Sequence, residues 1–141
     1  MREVFEPTTA RLLLVTVGGA DVTETPRQVA GAIDQVWAEL QSHFGSLIGV
    51  AGMRALQDRS VSIAAERLPW LAVPRQGSGV ATWSLRTVFE RRPPSEAIAE
   101  FAHLMASLIT LVGRLIGDAM VGRVLHEMWP EVFPRIAKEQ S

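Results

Sequence analysis

The sequence predicts an all-α protein, a single-domain bundle of four to five helices. Three observations lead there. Apolar residues recur at helical spacing over long stretches, and proline- and glycine-marked start and stop signals separate those stretches. The length, 141 residues with 48% hydrophobic and 21% charged residues, suits one domain that buries a core without disulfides or structural metal. Room is left for a short extended or β-ribbon segment over residues 11–17 and 80–89. The expected division is an extended or weakly ordered segment, 1–22, followed by a helical domain, 23–141.

Residues 1–9 carry Pro7, two threonines and acidic side chains without periodicity, so their deletion is expected to shift stability little. The first clear helix begins at Pro26. Thr25 suits the N-cap, Pro26 the first helical position and Gln28 the far side of a capping box. Val29, Ile33, Val36, Trp37, Leu40 and Phe44 form its apolar stripe, and Gly45 is the expected stop. Over residues 46–68, Ile48, Met53, Leu56, Ile63 and Leu68 make a second stripe. Gly49, Ala51, Gly52 and Ala55 give the same helix a face of small residues, which suggests packing on two sides. Pro69 ends it, Trp70 and Leu71 pin a turn, and residues 74–78 read as a loop.

Residues 80–90 fit either an alternating strand or a helix, with helix favoured. Pro93 and Pro94 then open the longest helix, whose stripe of Ile98, Phe101, Met105, Leu108, Val112 and Leu115 is widened by Leu104, Leu111 and Ile116. A helix apolar around most of its circumference belongs at the centre of a bundle. Gly117 permits a break, Asp118 suits the cap of a further helix, and Trp129–Pro130 ends that helix. Gly113 and Gly117 lie one helical turn apart, and two glycines in so apolar a stretch imply a close helix crossing. The expected partner is the small face at Gly49, Gly52 and Ala55, or the same helix of a second subunit. No internal repeat or low-complexity segment stands out.

Two motif stretches carry a resemblance. One is Gly52–Met53–Arg54–Ala55–Leu56 followed by Glu66–Arg67–Leu68–Pro69–Trp70–Leu71. The other is Leu115–Ile116–Gly117–Asp118 leading to Arg123–Val124–Leu125–His126–Glu127–Met128–Trp129–Pro130. Together they resemble a group of short, uncharacterised all-helical proteins from bacterial genomes. The resemblance implies a bacterial, cytoplasmic, helical protein and brings no activity with it. The N-terminal segment departs from the pattern.

Composition removes several function classes. With 14 basic against 15 acidic residues and a net charge of −1, the chain lacks the basic excess of a nucleic-acid binder. No cysteine means no thiolate metal site and no cysteine nucleophile, and is compatible with the cytoplasm. The longest uncharged apolar run, Leu104 to Gly113, has ten residues against the roughly 20 needed to span a bilayer, so no membrane segment is expected. His43, His103 and His126 have no metal-ligand spacing and no H-E-x-x-H context, and structural roles are expected for all three. There is no nucleophile elbow and no phosphate loop, since Lys138 is the only lysine. Trp37 lies on a core stripe, Trp70 and Trp129 each adjoin a proline at a helix end, and these three with Trp83 read as packing residues.

One polar constellation remains. His103, Ser107, Thr110, Arg114 and Asp118 follow at spacings of four, three, four and four, on one face of the long helix. They are either its solvated edge or a ligand-binding stripe beside a cavity. The mean hydropathy of +0.16 is high for a small domain and points to apolar surface covered by a partner. The expected function is therefore a non-enzymatic helical interaction or regulatory module that self-associates as a homodimer through an apolar surface. The alternative is a small-ligand-binding protein using the polar stripe. No cofactor, metal or nucleic acid is expected.

Overall fold

The computed structural model describes residues 7–19, 24–71 and 85–133. Within them the chain is an all-α bundle of six α-helices: α1 (Pro7–Gly18), α2 (Pro26–Ile48), α3 (Val50–Ala65), α4 (Leu85–Phe89), α5 (Pro94–Ile116) and α6 (Asp118–Met128). A 3₁₀ turn, Pro69–Leu71, closes the segment after α3.

The start of α2 follows from local chemistry. Thr25 Oγ1 accepts from the Gln28 N–H at 3.2 Å, and Gln28 Oε1 accepts from the Thr25 N–H at 3.0 Å. This is a complete capping box with proline at the first helical position. The helix passes through Gly45, the expected stop, and ends at Gly49 instead. Gly45 is buried against the first turn of α3, with Val50 Cα 3.6 Å from the position a Cβ would take, an ordinary contact that an alanine could also make.

Residues 7–18 correct the expectation of an extended N-terminal segment, and with it the β-ribbon over 11–17. Ala10, Leu13 and Leu14 are buried and Val17 packs against the core, a helical i, i+3, i+4, i+7 stripe. The β-branched residues in TTARLLLVTVG lower helix propensity and suggest alternation, but burial on α2 and α5 outweighs them. Pro7 to Thr9 open this helix, so residues 1–9 are not wholly outside the fold. At the second ambiguous segment, 85–89 is helical; residues 80–84, with Trp83, lie outside the described residues, as does the loop expected at 74–78.

The chain also repeats itself, contrary to the expectation of no internal repeat. Helices α2 and α5 each have 23 residues and begin at Pro26 and Pro94, 68 positions apart. At the same separation, Gly45–x–Leu47–Ile48–Gly49–x–Ala51 reappears as Gly113–x–Leu115–Ile116–Gly117–x–Ala119. Both helices break at the second glycine, at φ 92°, ψ 143° for Gly49 and φ 93°, ψ 145° for Gly117. A positive φ costs glycine nothing, and each break is closed by an N–H donating four residues back at 2.8 Å. Burial coincides as well: Val29 with Ala97, Ile33 with Phe101, Val36 with Leu104, Trp37 with Met105, Leu40 with Leu108 and Phe44 with Val112. The halves are wound together, since α1 packs on α5 as α4 packs on α2.

Helix α5 is the apolar centre, burying Ile98, Phe101, Leu104, Met105, Leu108, Ile109 and Val112. It is long and apolar enough to cross a membrane by length and composition, exceeding the ten-residue run that the sequence displays. Its hydrophobicity is accounted for by its place in the bundle, where 56% of its most apolar stretch is buried. An aromatic chain ties it to its neighbours. Trp37 meets Phe101 edge-on at 6.4 Å, Phe101 meets Phe89 at 6.2 Å, and Phe89 meets Trp70 at 5.2 Å. Arg92 caps the series over the Trp70 ring and forks onto Glu100 at 2.6 and 3.0 Å. That hydrogen bond raises the Arg92 pKa further above its ordinary value, against the opposing effect of burial.

Candidate functional site

The five residues of the polar stripe share a helical row and differ in their surroundings. His103 is partly buried, and Arg67 Nη1 donates towards its Nε2 at 3.5 Å, so the imidazole faces the end of α3. Thr110 returns its hydroxyl to the Ala106 carbonyl at 2.8 Å, and Ser107 is half-buried. Arg114 and Asp118 are exposed. The other histidines have local partners: His43 Nδ1 donates to the Glu39 carbonyl at 3.0 Å, and His126 Nδ1 to the Phe133 carbonyl at 2.8 Å. Among the described residues, no three of His, Asp and Glu are grouped to hold a metal ion.

The expected crossing of Gly113 and Gly117 on Gly49, Gly52 and Ala55 does not occur within the chain. Gly49, Gly52 and Gly117 have no foreign atom within 4 Å of a would-be Cβ, and Gly49, Gly52, Ala55 and Gly117 are exposed. Gly113 has another use. A Cβ there would overlap Asp118 Oδ1, because the break at Gly117 folds the first residue of α6 back over the last turn of α5. Asp118 is thus not a side-chain cap. An exposed carboxylate end swings aside cheaply, and alanine recovers helix propensity. Gly113→Ala is therefore expected to change stability by less than about 1 kcal/mol in thermal unfolding, whereas a helix crossing would demand a clear loss.

Sequence reasoning overlooked the close approach that does exist. It lies between α1 and α2, where a Cβ on Gly18 would overlap the Ala32 Cβ and come within 2.8 Å of the Ala32 Cα. Beside this contact opens a cleft of about 370 Å³, lined by Gly18, Gly19, Arg27, Gln28, Gly31, Ala32, Gln35 and Arg86. None of the five stripe residues lines it. Arg86 reaches it from α4 and lies along α2 at Gly31, with Nη2 3.1 Å and Cζ 3.6 Å from where a Cβ would stand. Gln35 Nε2 donates to the Val17 carbonyl at 3.5 Å and to Glu39 at 3.3 Å, bracing the end of α1.

The second feature is apolar and sits at the two helix breaks. Leu47 is 51% exposed, Val50 58% and Leu115 61%. Leu47 and Leu115 occupy matched positions of the repeat, and small exposed residues, Gly49, Ala51, Gly52 and Ala55 at one break and Gly117 and Ala119 at the other, flank them.

No protein-family model, curated protein or solved structure matches the chain. Its functional reading therefore rests on these surfaces.

Proposed function

We propose that this chain is a cytoplasmic, non-enzymatic helical interaction module that self-associates as a homodimer, with the apolar surface at its two helix breaks as the contact. The observation that carries this reading is the leucine held twice. Of the six matched buried pairs all but Leu40 and Leu108 have drifted, as in Val36 against Leu104, Trp37 against Met105 and Phe44 against Val112, since core positions tolerate apolar exchange when volume is made up nearby. Leu47 and Leu115 are identical although both stand out in water, where packing within the chain exerts little demand on them. A single exposed leucine needs no explanation, but a pair kept at one register beside small residues suits close apposition of another surface. A second copy presents that surface without any further component.

Sedimentation equilibrium tests the proposal on the wild type and on the Leu47→Asp/Leu115→Asp variant. The expected result is a dimer for the wild type and a monomer of unchanged helicity for the variant. A wild type that is monomeric at all concentrations, or a dimer indifferent to both substitutions, overturns it.

A further inference from the structure

We propose that the cleft between the end of α1, the first turns of α2 and α4 binds a small phosphorylated molecule, with Arg27 and Arg86 as the cationic clamp. Among the described residues neither guanidinium has an acidic partner, although Glu24 precedes the same turn and Asp34 lies on the same helix. The matched place in the second half differs in charge. Gln28 and Ala32 correspond to Glu96 and Glu100, the two carboxylates that hold Arg92. The first half thus lacks the two carboxylates that neutralise the arginine of the second.

The remaining lining suits an oxyanion. Gln28 commits its carbonyl oxygen to Thr25, which leaves its amide NH₂ as the donor, while Gln35 holds the wall of the cleft by donating to the Val17 carbonyl and to Glu39. Gly31 lets the Arg86 guanidinium lie close along α2, where a Cβ would crowd Nη2 at 3.1 Å. Two positive charges with no acidic partner among the described residues match a phosphate monoester, which carries about −1.5 to −2 charges at pH 7. Guanidinium groups pair with such oxygens in two-pronged fashion. The volume, about 370 Å³, exceeds what phosphate alone fills and falls in the range of small-molecule sites, so it leaves room for an organic part.

Isothermal titration of the full chain with pyrophosphate, at ionic strength held constant by chloride, tests the site. Saturable one-to-one binding is expected, about tenfold weaker in Arg27→Gln and in Arg86→Gln. Gly31→Ala keeps both charges and is also expected to weaken binding, by less than the loss of either arginine, because its Cβ shifts the Arg86 guanidinium by a few tenths of an ångström. Arg123→Gln, an exposed charge change on α6, is expected to leave binding unchanged. Absence of saturable binding to the wild type, equal affinity in the Arg27→Gln/Arg86→Gln double variant, or an equal loss in Arg123→Gln overturns the proposal. None of these outcomes depends on the oligomeric state.

Discussion

Phe101→Ala is expected to destabilise the chain by about 3–5 kcal/mol, a loss at the top of the range for truncating one buried side chain. Its ring is fully buried within the series Trp37–Phe101–Phe89–Trp70 and meets Trp37 and Phe89 directly, so one side chain joins α2, α4 and α5. The cavity left behind cannot collapse easily, because its walls belong to three elements and each edge-on contact fixes a neighbour. For a domain of this size the loss corresponds to a fall in Tm of roughly 10 °C or more. Phe101→Leu, which keeps most of the volume, is expected to cost less than half as much. Thermal unfolding of the two variants checks the ordering, and a Phe101→Ala protein within 1 kcal/mol or so of wild type would mean that this aromatic series does not organise the core.

Gly18→Ala is expected to destabilise by about 1–3 kcal/mol, although alanine is the better helix former. The added methyl meets the Cβ and backbone of Ala32, and backbone cannot swing aside as a flexible side chain does. Moving α1 away would also unseat Ala10, Leu13 and Leu14. The second substitution Ala32→Gly reopens the space. In a double-mutant cycle the pair should show favourable coupling of more than about 0.5 kcal/mol, despite glycine's cost within a helix. Additive losses would place the α1–α2 contact elsewhere.

These effects explain what the amino-acid order discloses. The capping box at Thr25 and the stop at Trp129 are local, so the residues that make them are adjacent in sequence and readable. The break at Gly117 is readable for the same reason. Helix α1 is hidden because its threonines and valines favour extended backbone on their own, and only the surfaces of α2 and α5 make a helix worthwhile. Gln57 escapes notice on other grounds. It is buried and donates to the Trp37 carbonyl at 3.0 Å, a bond between residues far apart in sequence whose geometry no spacing rule discloses.

The candidate sites follow the same division. The polar stripe is visible as a row because helical spacing is local, but whether a row lines a cavity depends on what stands opposite. The cleft draws on Gly18, Arg27 to Gln35 and Arg86, three stretches that only the packing of α1 and α4 beside α2 brings together. The Gly113–Gly117 spacing stands out in an apolar run, while its twin, Gly45–Gly49, reads as part of a helix end. Set side by side, the two expose the repeat, and with it the matched leucines.

Methyl NMR of a leucine-labelled wild-type chain, with a soluble paramagnetic agent, tests the self-association most directly because it needs no substitution. At high protein concentration the Leu47 and Leu115 methyl signals should be shielded from the agent. On dilution they should broaden as strongly as Leu12, which is 48% exposed on α1, while Leu40 and Leu108 stay protected throughout in the core. If Leu47 and Leu115 broaden as fully as Leu12 at every concentration, no second copy covers the helix breaks, and the proposed dimer contact is contradicted.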